Sequence, residues 1–179
     1  MRFLHLTILL VIAQTSVCFS QKRVGFESGQ ASFVIKNAGL DVNGSMQGLE
    51  GHVLIDQQKS MILKIEGSVA SNTIKTGINL RDTHLKKNDY FNSIEYPNIF
   101  MTSTQLKKSN KRKYIGVFDL TIKNVTKSIS FPFTFTEQND HYTLLGEFSI
   151  NRLDFGVGEE SVILSDVVKI IIEITGKTN

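Results

Sequence analysis

The fold is decided by residues 128–136, SISFPFTFT, in which a large apolar residue stands at every second position. Successive side chains of a β-strand point to opposite faces of a sheet, so this repeat puts Ile129, Phe131, Phe133 and Phe135 on one face. A helix would need a repeat near 3.6 residues. The stretch therefore predicts a half-buried strand with one apolar face.

The same alternation recurs along the chain. It is found at Phe33/Ile35, Val53/Ile55, Met61/Leu63/Ile65, Ile99/Met101/Ser103, Leu144/Gly146/Phe148/Ile150 and Val168/Ile170/Ile172/Ile174. Turn-forming residues separate the runs, at Asn43-Gly44, Asp56-Gln57-Gln58, Lys108-Ser109-Asn110 and Gln138-Asn139-Asp140. Strands spaced this regularly, with no helical segment between most of them, predict an all-β barrel or sandwich.

Residues 80–92, LRDTHLKKNDYFN, break the alternation. They are polar, with apolar residues at positions 80, 85 and 91, and they predict a short helix with a flanking loop.

The first twenty residues have the features of a cleaved export signal. A positive start, Met1-Arg2, precedes an apolar run over 4–13, and the small residues Cys18 and Ser20 follow where a signal peptidase cuts. We therefore expect a signal peptide over 1–20, a single domain over 21–179, and an exported protein that is periplasmic or secreted. The only cysteine lies in the signal segment, so the domain is expected to fold without a disulfide.

The formal net charge is +3, and one stretch is densely basic. Its members are Lys107, Lys108, Lys111, Arg112 and Lys113. The stretch is interpreted as a solvated hairpin turn, with a transient contact to anionic lipid headgroups as the alternative. No aromatic residues alternate with these charges before Tyr114, which argues against nucleic acid as a partner.

The surplus of large apolar residues on one strand face favours a barrel over a sandwich. A barrel of about eight strands can fill its own interior or hold one small ligand. Periodicity alone leaves both possibilities open.

Several stretches, in order and with their spacing, resemble the YceI-like family of exported polyisoprenoid-binding proteins. They are FVIKNAGLDVNG (33–44), IKTG (74–77), RDTHLK (81–86), DYFN (89–92), YPNI (96–99), LTIKNVTK (120–127), INRLDFGVG (150–158) and LSD (164–166). The resemblance implies an eight-stranded antiparallel lipocalin-like barrel, with a helical segment following Arg81-Asp82. It also implies an elongated cavity for an isoprenoid tail, as of a quinone or polyprenol, and no chemical reaction.

The chain departs from the family pattern at three places. Phe118 and Asn124 stand where the family usually has glycine, and residues 27–32 lack the usual Asp-x-x-His-Ser opening. An aromatic ring in place of an inward glycine fills space, so Phe118 is expected to shorten or narrow the cavity.

The predicted site has two parts, a cavity wall and a mouth for the headgroup. The wall is predicted to contain Phe33, Ile35, Met61, Leu63, Ile65, Phe91, Ile99, Met101, Phe118, Leu120, Phe131, Phe133, Phe148, Ile150, Phe155, Ile170 and Ile172. The mouth is predicted to contain Arg81, Asp82 and His84, with Arg81 donating to a quinone or phosphate oxygen. The alternative for the mouth is structural: Asp82 caps the following helix, and Arg81 pairs with Asp154 or Asp166.

Other chemistries have weak support in the sequence. His52, His84 and His141 do not have metal-ligand spacing, and no serine sits in a Gly-x-Ser-x-Gly elbow. No catalytic, metal or cofactor site is therefore predicted. The alternatives to a lipid carrier are a filled barrel that acts as a protein-interaction module and, more remotely, a hydrolase or isomerase built on Asp82, His84 and Ser165.

Overall fold

The computed structural model describes residues 21–178, so the predicted signal peptide and Cys18 lie outside the described residues. Its strands form one antiparallel sheet of ten. The strands are β1 (Gln21–Gly25), β2 (Ser28–Asn37), β3 (Leu40–Gln47), β4 (Glu50–Asp56), β5 (Met61–Ala70), β6 (Asn98–Lys108), β7 (Lys113–Ile122), β8 (Val125–Gln138), β9 (His141–Asn151) and β10 (Leu164–Lys177). One helix, α1 (Asn79–Leu85), and two 3₁₀ turns, Ser71–Thr73 and Arg152–Phe155, complete the described elements.

A long bent hairpin closes the sheet into a barrel. Short breaks at residues 26–27 and 48–49 divide each of its arms, but β1 pairs with β4 and β2 pairs with β3 in one continuous register. On its outer sides the hairpin pairs with β10 through β2 and with β5 through β4. Counting each bent arm once gives the predicted eight strands, so the predicted all-β barrel is confirmed and the count differs only at the bends.

Residues 128–136 form the strand that their alternation predicts. In β8 the rings of Phe131, Phe133 and Phe135 are buried, and Ile129 packs half-buried against the same core. The residues between them are exposed or half-buried. A strand with one face inside the barrel and the other outside produces this pattern.

The predicted turn at Asn43-Gly44 is wrong, because both residues lie within β3. The chain turns instead at Ala38-Gly39, where φ is 49° and 80°, values that suit a tight hairpin turn. Gly44 serves a different purpose: a Cβ there would lie 2.2 Å from Cζ of Phe33. The other three predicted turns lie at or beside the ends of strands, as expected.

The alternation also misleads in β5. Pairing with β4 shifts between Leu54, which faces Lys64, and Ile55, which faces Ile62. This β-bulge reverses the side to which the first residues of the strand point. Ile62 is therefore buried with Ile65 in the core, while Met61 and Leu63 are only half-buried.

A short helix overlaps the start of residues 80–92, as predicted, but it does not follow Arg81-Asp82. Helix α1 begins at Asn79 and contains both residues. Leu85 anchors it by packing against a small buried cluster of Met46, Val69 and Ile74. The helix is thereby fixed at one end of the barrel, which we call the mouth.

The opposite half of the barrel is filled by stacked aromatic rings. We call Tyr114, Phe118, Phe131 and Phe133 the aromatic plug. Phe118 stacks on Phe131 with ring centroids 4.7 Å apart, and Tyr114 stacks on Phe133 at 5.3 Å. Glycines make room for the rings, since a Cβ on Gly116 would lie 2.3 Å from the ring of Phe118. The plug gives the molecule a closed end and leaves space only towards the mouth.

Within residues 21–178, none of the helices has the length and apolarity needed to cross a membrane.

Candidate functional site

A cavity of about 480 Å³ occupies the mouth half of the barrel. Its wall is almost entirely aliphatic and aromatic, and strands β2, β3, β5, β6, β7, β9 and β10 contribute to it. Phe148 forms its floor, because this ring lines the cavity and stacks at 4.5 Å on Phe131 of the plug. The cavity reaches the surface at the mouth, where the exposed residues Glu159, Glu160 and Ser161 border it.

The structure brings most of the predicted wall residues together around this space. Those that line it are Phe33, Ile35, Ile65, Phe91, Ile99, Met101, Leu120, Phe148, Ile150, Ile170 and Ile172. Many of them are only half-buried although they point into the barrel. Their remaining accessible surface therefore faces the cavity.

Six predicted wall residues do not line the cavity, for three physical reasons. The β5 bulge places Met61 and Leu63 away from it. Phe118, Phe131 and Phe133 face inward but stack on one another in the plug, below the floor. Phe155 is buried in the main core beside the barrel end rather than on the cavity wall. The placement of Phe118 agrees with a shortened cavity.

Sequence reasoning missed other wall residues. Val42 and Met46 of β3 line the cavity, and the alternation Val42, Gly44, Met46 could have revealed them. The interpretation of Asn43-Gly44 as a turn concealed it. Ile74 and Leu85 also line the cavity but lie outside the strands, where no repeat of two could indicate them.

At the mouth, Thr76, Arg81 and Asp82 form a hydrogen-bonded group that we call the mouth clasp. Asp82 Oδ1 accepts from the backbone N–H and the hydroxyl of Thr76, at 2.8 Å and 2.5 Å. Arg81 donates from Nε to Thr76 Oγ1 at 2.7 Å and from Nη2 to Thr76 O at 2.8 Å. Arg81 lines the cavity, whereas Asp82 does not. These hydrogen bonds link α1 to Thr76, which lies in the segment between β5 and the helix.

The structural roles predicted as the alternative for Asp82 and Arg81 are both wrong. Asp82 does not cap the first amides of the helix, because its carboxylate reaches back to Thr76. Arg81 does not pair with Asp154 or Asp166. Asp166 accepts instead from Arg152 Nη2 at 2.9 Å.

His84 lines the cavity near Arg81. Its Nε2 lies 3.5 Å from Asp89 Oδ2, and its ring packs edge-on against Tyr90 at 5.0 Å. Arg81 Nη1 has no hydrogen-bond partner among residues 21–178. The mouth thus offers an imidazole and one guanidinium nitrogen to a polar group at the top of the cavity.

Arg152 is the buried charge of the site, with 4% of its surface exposed. Its guanidinium donates to the carbonyls of Ser165 and Val157, at 3.0 Å and 2.9 Å, as well as to Asp166. These bonds hold the loop between β9 and β10 against the cavity. Within this loop, Asn151 Oδ1 accepts from Leu153 N, and Gly156 has a φ of 62°.

The hydrolase or isomerase alternative requires Asp82, His84 and Ser165 to act together, but these three residues are not hydrogen-bonded to one another. Asp82 is engaged by Thr76, His84 lies beside Asp89, and the Ser165 hydroxyl bonds the backbone of Val167. Among residues 21–178, no group of three or more His, Cys, Asp or Glu side chains is arranged to hold a metal ion.

A closed antiparallel barrel with an apolar cavity open at one end defines the class of lipocalin-like barrels that hold a small hydrophobic molecule. Within that class, the chain belongs to the family of the YceI-like domain, whose model matches residues 19–176. The resemblance noted in the sequence is confirmed.

Relatives and solved structures agree with this assignment. A UPF0312 protein of Photorhabdus laumondii is 32% identical over 105 residues, a match that covers 56% of this chain and 54% of that relative. Protein YceI of Escherichia coli O6:H1 is 26% identical over 160 residues, 84% of this chain and 83% of its own.

Two solved structures share the fold. Burkholderia cenocepacia BcnA has a TM-score of 0.76 at 21% identity, covering 82% of this chain and 95% of its own. A polyisoprenoid binding domain from Saccharophagus degradans, implicated in plant cell wall breakdown, has a TM-score of 0.69 at 13% identity, covering 87% of this chain and 98% of its own.

Proposed function

We propose that this chain is an exported, non-enzymatic binding protein that holds an isoprenoid or similar long-chain lipid, of the quinone or polyprenol type, for transport, storage or sequestration. The observation that carries the proposal is the apolar cavity of about 480 Å³ above the aromatic plug. Its size lies within the range of small-molecule sites, about 300–1,000 Å³. The polyisoprenoid-binding domain among its structural neighbours supports the same ligand class.

The wall accounts for affinity without a specific polar contact. Burying one methylene-sized group of a lipid tail is worth about 0.8 kcal/mol, so a tail of many carbons binds by desolvation alone. The accessible surface of Ile150 and Ile170 inside the barrel would be covered at the same time. A tail, rather than a headgroup, is therefore the recognised part.

The headgroup would lie at the mouth, beside Arg81 and His84. Arg81 Nη1 and the imidazole can donate to a carbonyl or hydroxyl oxygen there. The carboxylates of Glu159 and Glu160 also border the opening. This mixture of charges suits a neutral, oxygen-bearing headgroup better than a bare phosphate, because the carboxylates repel an anion.

An inward ring at Phe118 would favour the alternative, a filled barrel that acts as a protein-interaction module. That ring belongs to the plug and lies below the floor, so it shortens the cavity and leaves the mouth half hollow. A lipid-binding role is thus the better supported of the two.

Native mass spectrometry of the protein, purified gently from its own host, tests the proposal. We expect one lipid per chain, and uptake of added geranylgeraniol or ubiquinone by protein stripped of lipid. Ile170→Trp, on the cavity wall, should reduce uptake at least about tenfold, because the ring occupies the space of the tail.

The matched control is Ile115→Trp, which adds the same ring at an exposed position outside the barrel. Its uptake should equal that of the parent. The absence of any co-purified lipid, together with no uptake of either added compound, would contradict the proposal.

A further inference from the structure

A group of exposed aliphatic side chains surrounds the opening of the cavity. We call Leu40, Ile78, Leu80, Val162 and Ile163 the apolar rim. Leu40 is 74% exposed, Leu80 83% and Val162 104%, the last being as accessible as in an extended chain. Exposed apolar groups gathered in one place mark interaction sites in soluble proteins.

The rim residues come from three segments that border the same opening. Leu40 begins β3 at the β2–β3 turn, where the Ala38 N–H donates to Ile163 O at 2.7 Å. Ile78 and Leu80 flank the start of α1, which the mouth clasp holds over the cavity. Ile163 itself also lines the cavity. The rim is therefore continuous with the proposed lipid site.

The other end of the barrel has no exposed large apolar residue in its turns, among residues 21–178. Its turns are polar, with Gln57-Gln58-Lys59-Ser60, Ser109-Asn110-Lys111-Arg112 and Asn139-Asp140. The basic stretch 107–113 lies there too, because β6 runs from the mouth to this end. The two ends thus differ in chemistry: one is polar and basic, and the other is aliphatic around an open cavity.

We propose that the apolar rim docks on the surface of a lipid bilayer, so that the cavity opens directly onto the acyl chains. This inference rests on the proposed function, because a tail that leaves the cavity through such a rim never becomes exposed to water. Aliphatic side chains on separate short segments can each enter the interface between headgroups and acyl chains. Charges of both signs flank the rim, with Lys75 and Lys87 on one segment and Glu159 and Glu160 on another, so docking needs no anionic lipid.

The rim and the basic stretch predict opposite orientations on a membrane. Docking through Lys111 and Arg112 would point the mouth away from the bilayer, whereas docking through the rim would seal the mouth against it. Salt separates the two, because contacts to anionic headgroups are screened and aliphatic insertion is not.

Flotation of the full chain with phosphatidylcholine vesicles tests the proposal. The rim variant carries Leu40→Thr, Leu80→Gln and Val162→Thr, none of which lines the cavity. One control carries Ile115→Thr and Leu145→Thr, exposed apolar residues on the outer wall. A second carries Lys111→Gln and Arg112→Gln. Uptake of geranylgeraniol delivered from cyclodextrin, without vesicles, is measured for each protein.

We expect the parent and both controls to float with the vesicles equally at low and high salt. The rim variant should lose vesicle binding roughly tenfold to a hundredfold, with unchanged uptake from cyclodextrin. If the parent does not float, or if the rim variant floats like the parent, the proposal is wrong. Loss of flotation in the Lys111/Arg112 variant instead would assign membrane contact to the basic stretch and overturn it.

Two further outcomes separate this inference from its alternatives. If the parent floats but takes up no lipid, the proposed function fails while the rim still docks on membranes. If sedimentation shows a dimer of the parent that becomes a monomer in the rim variant, the rim's occupant is a second copy of this chain, and the membrane proposal is overturned.

Discussion

Gly44 and Phe33 illustrate, at the scale of single residues, what sequence patterns convey and what they conceal. The alternation of Phe33 and Ile35 predicts their common face, and both line the cavity. The Asn43-Gly44 pair has the composition of a turn, yet its glycine provides space for the ring of the neighbouring strand. A glycine that makes room and a glycine that turns the chain look alike in a sequence, because the difference depends on a residue across the sheet.

Tyr142 is a residue whose role becomes visible only in the structure. Its ring is buried near the closed end, and its hydroxyl donates to Gly25 O at 2.8 Å, joining β9 to the first strand. Burial, with a smaller effect of the Glu27 carboxylate, raises the pKa of Tyr142 from 10.0 to about 12. The folded protein therefore favours the protonated phenol.

Replacing Tyr142 by Phe should change how stability depends on alkaline pH. The stability contributed by the raised pKa is fully present below pH 10 and is lost as the pH rises through about 12. Below pH 10 the variant should be less stable by about 1 kcal/mol, because the hydrogen bond is lost. Above pH 10, the unfolding free energy of the parent should fall more steeply with pH than that of the variant.

Urea unfolding from pH 7 to 12, with Tyr90→Phe at the mouth as the control, measures this difference. A constant gap in unfolding free energy between parent and Tyr142→Phe across the whole range would show that Tyr142 does not titrate as inferred.

At the scale of elements, helix α1 depends on a polar clasp more than on helical propensity. It has only seven residues, and isolated helices of this length are not stable in water. Packing of Leu85 and the bonds among Thr76, Arg81 and Asp82 hold it in place. The clasp thus positions Arg81 and His84 at the mouth.

Thr76→Val should loosen the mouth with little effect on the barrel. The change removes the hydroxyl that donates to Asp82 and accepts from Arg81, while the side chain keeps its shape. We expect faster amide hydrogen exchange over residues 74–85, by about tenfold, and a loss of global stability of about 1 kcal/mol.

Thr83→Val is the control, since its hydroxyl bonds only Asn79 O on the exposed side of the same helix. Equal exchange in the two variants would mean that the clasp does not hold α1.

Features of an element that depend on its own sequence could be predicted, whereas features that depend on another part of the chain could not. The strands were predictable because a repeat of two reports directly which face is buried. The bulge in β5 was not, because the shift between Leu54 and Ile55 arises from pairing with another strand. The mouth residues were predicted as a set, but the partner shared by Arg81 and Asp82 is Thr76, for which no role was predicted.

At the scale of the whole molecule, the interior is divided between a solid half and a hollow half. The same apolar alternation produces both, so periodicity could not tell them apart. The two halves differ in the kind of side chain that points inward. The solid half holds stacked phenylalanines and tyrosines, while the hollow half is lined largely by aliphatic side chains. The cavity therefore ends where the aromatic stack begins.

Phe118→Gly should lengthen the cavity towards the plug end. The ring is buried between Phe131 and Phe133, and its removal leaves a void that costs about 3–5 kcal/mol of stability. We expect the preference in a series of isoprenoid alcohols to shift to longer tails, because the extra space can take more of the chain.

Binding of the same series to Phe118→Leu, a milder substitution, guards against a variant that fails to fold. Its preference should move in the same direction by a smaller amount. An unchanged length preference in both variants would show that the plug does not limit the ligand.

The closure of the barrel has a consequence for how the chain becomes folded. Strand β2, near the start of the described chain, pairs with β10 at its end, so that Ser28 faces Thr175. Contacts this distant in sequence are slow to form, because a long loop must close before they contribute. During synthesis the ring cannot be completed until the last strand has emerged, and until then β2 keeps an open edge. For the export that we propose, this order is an advantage, since the barrel cannot close before the chain has crossed the membrane.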